Sequence, residues 1–278
     1  MKPNRKFKDS VFTTLFNNPD LLRELYCALE GVTLPPDVPV SITTLKNVLY
    51  MDICNDLSFE IGGKLIVLIE HQSTLNPNMA LRMLNYTNQI LEKRIKKSEL
   101  YSETPISIPY PEFYVLYNGE KPFQDECTQR LSDLFEKPED LGLSKRQTPL
   151  LDLEVRIINI NEGKNQEIVN RCKELAGYSE FTGKARTFWR ETGNLKEGIK
   201  AAVKYCQKHD ILKEFLETHE RKVLSMLFTE WNTEDAIAYA REESFEKGRE
   251  EGHVEVLKLL DQGLSIEEIK QRLTQKGE

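Results

Sequence analysis

The strongest constraint on the fold is a run of five strongly apolar residues, 65–69. This run is far shorter than the roughly 18 apolar residues that a membrane-spanning helix needs. Its composition is typical of a strand covered on both faces. The preceding residues, 56–61, alternate polar with apolar side chains, as a strand with two different faces does. The two runs flank Gly62-Gly63 and predict a β-hairpin with a buried second strand.

The rest of the chain predicts an α/β sheet core followed by a helical C-terminal half. Apolar residues at helical spacing alternate with short strand-like runs, and Pro- or Gly-containing stretches separate them. In chain order, the expected elements are a helix (19–31), strands (46–52, 56–61, 64–70), a helix (after Pro77 to 97), strands (113–117, 151–160) and helices from residue 164.

Three segments are expected along the chain: a core (1–162), a helical extension (163–229) and a charged helical tail (230–278). Small residues at every fourth position of the tail would let another helix approach closely. We interpret the tail as an oligomerisation or regulatory segment and expect homo-oligomers to form through it; a loose, charged helix is the alternative. The small residues are Ala236, Ala240, Ser244, Gly248 and Gly252.

The charge distribution leaves a nucleic-acid partner open. The net charge of −7 speaks against one, but residues 1–110 hold 12 basic and 12 acidic side chains, so the acidic excess lies elsewhere. Two basic clusters could contact phosphates or be ordinary solvated charges. They are Lys2, Arg5, Lys6, Lys8 and Lys93, Arg94, Lys96, Lys97.

Cysteine usage and hydropathy indicate a cytoplasmic protein without membrane contact. The five cysteines are scattered and include no Cys-x-x-Cys pair, which is typical of free thiols in a reducing compartment and argues against a zinc site. The basic N-terminus is not followed by an apolar region, so no secretory signal is predicted.

Two carboxylates on neighbouring predicted strands, Asp56 and Glu70, form the candidate site together with Gln72. Such a group suits a divalent cation that hydrolyses a phosphodiester, provided that both acids project from one face of the sheet. A two-residue turn would place Asp56 opposite Ile69 and direct Glu70 to the other face. A three-residue turn (62–64) or a bulge would instead pair Asp56 with Glu70, and glycine permits the positive φ that such turns use.

Several segments together resemble the bacterial Rpn family of recombination-promoting nucleases and transposases, within the PD-(D/E)XK nuclease superfamily. The Glu-His-Gln-Ser sequence at residues 70–73, with an Arg and a Tyr downstream, carries the most specific part of the likeness. The N-terminal segment at residues 8–12 and the Gly/Glu-rich tail are also similar. The segments with matching motifs are residues 55–59, 69–73, 78–86 and 111–119.

The resemblance implies a restriction-endonuclease-like αβββαβ core and a Mg²⁺-dependent DNA endonuclease, with Mn²⁺ as a substitute cation. Its roles would be in recombination, mobile elements or defence against foreign DNA. Asp56 and Glu70 would hold the metal with the backbone carbonyl of His71, and Glu24 would be an outer carboxylate. Gln72 would be catalytic where most of the superfamily has a lysine; an amide can orient groups but supplies no charge.

Other residues near the motif have two interpretations each. Arg82 is a candidate phosphate-binding residue or a structural ion-pair partner, and the basic residues from Lys93 to Lys97 are candidate DNA contacts. The side chain of His71 is expected on the opposite face, packed rather than catalytic. Gln72 and the acidic net charge favour an alternative function, a catalytically weak or inactive nuclease-fold protein that binds DNA or another protein.

Overall fold

A six-stranded mixed sheet lies at the centre of the residues that the computed structural model describes, 10–44, 56–136 and 149–231. The chain divides into two compact units, Met1–Leu227 and Phe228–Glu278. All strands and numbered helices lie in the first unit. The strands are β1 (Val40–Ile42), β2 (Leu57–Ile61), β3 (Leu65–Gln72), β4 (Tyr110–Tyr117), β5 (Glu126–Arg130) and β6 (Glu154–Asn159).

The helices flank this sheet and dominate the C-terminal part of the described chain. Residues 213–227 of the first unit are also helical. None of the helices in the described ranges has the length and apolarity needed to cross a membrane. The numbered helices are α1 (Val11–Leu15), α2 (Pro19–Glu30), α3 (Met79–Arg94), α4 (Gln166–Val169), α5 (Lys173–Thr192) and α6 (Leu195–Lys208).

The strand order across the sheet is β1-β2-β3-β4-β6-β5. β1, β2 and β3 are antiparallel, β3, β4 and β6 run parallel, and β5 returns antiparallel to β6 at the edge. From α2 to β4 the element order is αβββαβ. The expected α/β class with a helical C-terminal part is therefore confirmed.

Helix α2 begins and ends at residues with strong terminal preferences. The Asn18 side chain accepts the N–H groups of Asp20 (2.8 Å) and Leu21 (3.4 Å), which satisfies two of the unpaired donors of the first turn. Pro19 occupies the first turn, where it needs no N–H partner. Gly31 ends the helix with a φ of 66°, a left-handed conformation that glycine adopts without strain. The predicted helix from residue 19 to Gly31 is confirmed.

The β2–β3 hairpin has the three-residue turn that the candidate site requires. Ile61 pairs with Leu65, so the turn consists of residues 62–64. Gly62 and Gly63 have φ values of 58° and 65°, where a Cβ would be strained. Leu57 pairs with Ile69, and the next pair outward is therefore Asp56 with Glu70. The prediction of an odd-length connection is confirmed.

Helix α3 covers one face of the sheet beside this hairpin. Alternate β3 residues, Ile66 and Leu68, belong to a buried cluster with Met79, Met83 and Tyr86 of α3. Burial of this apolar stripe holds the helix against the strands. Glu70 and Gln72 continue the same alternation along β3 and so lie on the face that α3 covers.

Two strand predictions need correction. A strand is found at Val40–Ile42, which the sequence pattern did not predict, while the predicted strand at 46–52 lies outside the described residues. Strand β5 occupies Glu126–Arg130, between two predicted strands where no further strand was expected. It escaped prediction because it is an edge strand with mostly polar side chains, one of which, Glu126, pairs across the strands with Arg156 at 3.0 Å.

Candidate functional site

The site is formed where β2 begins and β3 ends. Glu70 is only 3% exposed, and its Oε1 accepts a hydrogen bond from the backbone N–H of Asp56 at 3.3 Å. The hairpin register sets the two residues opposite each other, so their side chains share a face of the sheet. The structure thus brings together the two acids that the sequence singled out.

The backbone of His71 is directed to the β2 side of the hairpin, next to Asp56. Its N–H donates to Asp56 Oδ2 at 2.8 Å, which fixes the orientation of that carboxylate. In an antiparallel pair the N–H and C=O of one residue point to the same neighbouring strand. The His71 carbonyl is therefore directed to the same side as Asp56.

The His71 imidazole lies on the face opposite the two carboxylates, as expected. It stacks on Phe12 with ring centroids 4.9 Å apart, and its Nε2 is 3.1 Å from the Tyr178 hydroxyl. Burial, with a smaller effect from the positive charge of Arg186, lowers the pKa of His71 to about 3. A ring that stays neutral and is enclosed in this way has a packing role.

Arg82 is the basic partner of the carboxylates. Its Nη2 donates to Glu70 Oε2 at 2.8 Å, and the same nitrogen lies 2.6 Å from the hydroxyl of Tyr86. Nε also donates to that hydroxyl, at 3.0 Å. Arg82 and Tyr86 are one turn apart on α3, so the helix positions the guanidinium over Glu70. The ion-pair interpretation of Arg82 matches these contacts.

Gln72 lies at the end of β3, on the face of Glu70, with both ends of its amide engaged. Its Nε2 is 2.8 Å from the Sδ of Met79, and its Oε1 accepts the N–H of Asn76 at 3.2 Å. These contacts tie the strand end to the loop before α3. The amide of Gln72 is neutral, so this position supplies no positive charge to the site.

The electrostatics of the pair follow from its burial. Burial raises the pKa of Glu70, and the nearby charge of Asp56 raises it further, while Arg82 opposes both effects. Burial also raises the pKa of Asp56, which the hydrogen bond from His71 N–H and the charge of Arg82 partly offset. Two acids that repel each other in a poorly solvated place are stabilised by additional positive charge.

Glu24 lies in a different cluster. Its carboxylate has ligand-capable atoms of Cys172 and Glu174 within 4.8 Å. Burial and the charge of Glu174 raise its pKa, whereas the charges that act on Glu70 are those of Asp56 and Arg82. The described contacts of Glu24 therefore connect α2 with the start of α5, and its role as an outer ligand stays a prediction.

The candidate DNA-binding residues at the end of α3 lie well away from the carboxylates. Lys93 is eleven residues after Arg82, which corresponds to about 16 Å along the helix. Lys93, Lys96 and Lys97 are exposed. Arg94, by contrast, pairs with Glu60 of β2 at 2.6 Å and thereby ties α3 to the hairpin.

A second polar network at the C-terminal ends of β4 and β6 escaped the sequence analysis. Arg186 of α5, 8% exposed, donates from Nη2 to both the carbonyl and the Oδ1 of Asn118, the latter at 2.8 Å. Its Nη1 donates to Asn161 Oδ1 at 2.9 Å. Asn118 also donates to Thr182 at 3.2 Å. Asn118-Gly119 indicated only a strand end, and nothing in the spacing pointed to a helix residue 68 positions later.

One protein-family model matches the part of the chain that contains this site. The model of a family described as "Putative transposase, YhgA-like" matches residues 13–176, more than half of the 278 residues. The chain belongs to this family. The match to transposase-type proteins confirms the expected family, and the matched range includes the hairpin, α3 and all of Asp56, Glu70, Gln72 and Arg82. Comparisons with curated proteins and with solved structures gave no match.

The donor set of this family member fits a hard divalent cation. Asp56 and Glu70 offer carboxylate oxygens and His71 offers a carbonyl directed to their side of the hairpin. Oxygen ligands of this kind suit Mg²⁺ and Mn²⁺. Mutual repulsion between the two acids adds a reason for a cation to bind there.

The raised carboxyl pKa values predict a pH dependence of the free energy of unfolding. The folded state holds protons on Asp56 and Glu70 more tightly than the unfolded state does, so stability falls as the pH rises through the raised pKa values. His71, with its pKa lowered to about 3, acts in the opposite sense, but only below its ordinary pKa of about 6.5. Above about pH 6.5, where the effect of His71 has ended, metal-free protein is therefore expected to lose thermal stability as the pH rises.

Thermal unfolding with EDTA at several pH values measures this effect. Glu70→Gln should flatten the slope, because it removes one of the two titrating acids, and Mn²⁺ should raise the unfolding temperature most at the higher pH. A wild-type slope equal to that of Glu70→Gln would contradict the prediction.

Proposed function

We propose that this transposase-family protein is a metal-dependent DNA endonuclease that hydrolyses phosphodiester bonds. The observation that carries the proposal is the pairing of Asp56 with Glu70 across the three-residue turn, with both acids on one face and partly or fully buried. A structural role alone gives no reason to keep two repelling carboxylates together. A site for a divalent cation gives such a reason, because the bound cation offsets the repulsion between the carboxylates.

The residues around the pair would prepare it for that chemistry. His71 N–H holds Asp56, and the Asp56 N–H and Arg82 hold Glu70. Ligands fixed in this way need little rearrangement before reaction. A bound Mg²⁺ would supply a water of lowered pKa and neutralise charge that develops on the phosphate. Gln72, whose amide is neutral, can only orient a neighbouring group.

Contacts to DNA would come from charge rather than from recognition of bases. Lys93 in the last turn of α3, and Lys96 and Lys97 just after the helix, are exposed. They could neutralise phosphates of a duplex that also reaches the carboxylates. Phosphate contacts position a duplex without reading its sequence. We therefore propose cleavage with little sequence preference.

Incubation with supercoiled plasmid tests this function. Nicked circles are expected with Mg²⁺ or Mn²⁺ and should disappear when EDTA removes the metal. The proposal would be contradicted if the wild type nicked no plasmid with any of the divalent cations tried. Nicking that persists in EDTA would point to a different mechanism.

The contacts of Gln72 favour a second candidate, a DNA-binding protein with little or no cleavage activity. The position where a charged residue would assist catalysis holds an amide that is engaged with Met79 and Asn76. Such a protein would retard a DNA duplex in a gel but leave a plasmid intact under the same conditions. The plasmid assay and a gel-shift assay together separate the two candidates.

A further inference from the structure

We propose that Arg82 is the exchangeable cation of this site: it neutralises Glu70 while no metal is bound and turns to a DNA phosphate once a metal takes Glu70. This inference rests on the proposed function. It gives Arg82 the positive charge that Gln72 cannot supply. The two states differ in whether a metal occupies Glu70 and in what the guanidinium contacts.

The first support is the charge around the pair. Among the described residues, Arg82 is the basic residue that forms an ion pair with Glu70. Its Nη2 lies 2.8 Å from Glu70 Oε2. A divalent cation at these carboxylates would repel a guanidinium so close to it and would weaken its hold on Glu70. Metal and Arg82 are thus competitors for one oxygen.

The second support is an anchor that does not depend on Glu70. The Tyr86 hydroxyl accepts hydrogen bonds from both Nε and Nη2 of Arg82, and Tyr86 itself is 1% exposed. The guanidinium would therefore stay beside the site after losing its carboxylate. A freely moving side chain would instead swing into solvent.

The third support is the exposure and the donor capacity of Arg82. A guanidinium has five N–H donors, and within the described residues Nη1 contacts the thioether of Met79, at 3.3 Å, which is a weak acceptor. The Arg82 side chain is 36% exposed, whereas that of Glu70 is 4% exposed. Arginine binds phosphate oxygens in a bidentate manner, and Arg82 is the more exposed member of the pair.

Metal titration without DNA gives the first readout. In isothermal titration with Mn²⁺, Arg82→Gln is expected to bind the metal about fivefold or more tightly than the wild type, because the competing charge is gone. Arg82→Lys, which keeps the charge, should stay close to the wild type. The matched control is Arg94→Gln, which removes the ion pair with Glu60 on the same helix and should change Mn²⁺ affinity less than about twofold.

DNA binding gives the second readout. Fluorescence anisotropy of a short labelled duplex, with Ca²⁺ as a cation that resembles Mg²⁺ in its oxygen ligands, should show that metal tightens DNA binding by the wild type. Arg82→Gln and Arg82→Lys should both lose that tightening, since neither offers the fork of donors. Circular dichroism establishes that each variant is folded. If Arg82→Gln does not fold, Arg82→Lys still tests whether the metal-dependent gain in DNA affinity needs the guanidinium.

The outcomes separate this inference from the function on which it rests. Wild type that binds no Mn²⁺ would overturn both. Wild type that binds Mn²⁺ while Arg82→Gln binds it equally or more weakly would overturn only the exchange. A full metal-dependent gain in DNA affinity for Arg82→Lys would also overturn the exchange and leave the proposed function standing.

Discussion

Asp56→Asn and Glu70→Gln are each expected to lower plasmid nicking by at least about a hundredfold. Each substitution keeps the shape of the side chain and removes the charge that would hold a cation. The hydrogen bonds from His71 N–H to Asp56 and from Asp56 N–H to Glu70 can still form with an amide oxygen. The loss should therefore come from the site and leave the fold intact, as measured by initial nicking rates beside circular dichroism spectra.

Glu60→Gln is the matched control for these variants. Glu60 lies in β2, on the face to which Asp56 projects just before the strand begins, but it pairs with Arg94. Its loss should change nicking less than about threefold. Equal activity of Asp56→Asn, Glu70→Gln and the wild type would place the chemistry elsewhere or indicate a contaminating nuclease.

Arg186→Met is expected to lower the free energy of unfolding by about 3–5 kcal/mol. The substitution leaves the Asn118 carbonyl, Asn118 Oδ1 and Asn161 Oδ1 without the donor that now serves them. Each buried acceptor without a partner costs about 1–3 kcal/mol. Urea unfolding, followed by fluorescence of the tryptophans, measures the difference.

Arg190→Met provides the comparison one turn later on α5. Arg190 is 66% exposed and pairs only at the surface, with Glu120 at 3.1 Å. Its loss should cost less than about 1 kcal/mol. Similar losses for the two variants would show that the Arg186 contacts contribute no more than a surface ion pair.

The hairpin could be predicted from the sequence because its determinants are local. Alternation in residues 56–61, two glycines and an apolar run specify two strands and restrict the turn between them. The requirement that Asp56 and Glu70 share a face then selected an odd-length connection, and the register agrees with it. The family resemblance rested on these residues together with segments 78–86 and 111–119, and the family match over residues 13–176 confirms it.

What could not be predicted depends on contacts between distant segments. The link between Arg186 and Asn118, and that between Tyr178 and His71, join residues 68 and 107 positions apart, and no periodicity encodes such pairs. Strand β5 was missed because an edge strand needs few apolar residues. Arg82 was recognised as a candidate, but the sequence did not identify Tyr86 as its hydrogen-bond partner. The charged tail lies outside the described residues from position 232 onward, so its proposed role in oligomerisation stays a prediction.

The attachment of helix α5 to the strand ends has a practical consequence for anyone who shortens this chain. The family match ends at residue 176, two positions before Tyr178, which contacts His71, and ten before Arg186, which holds Asn118. A fragment cut at that boundary would keep every candidate ligand and lose the supports on the far side of the sheet. Expression trials of a minimal fragment that contains the candidate site should therefore extend through the end of α5 at Thr192.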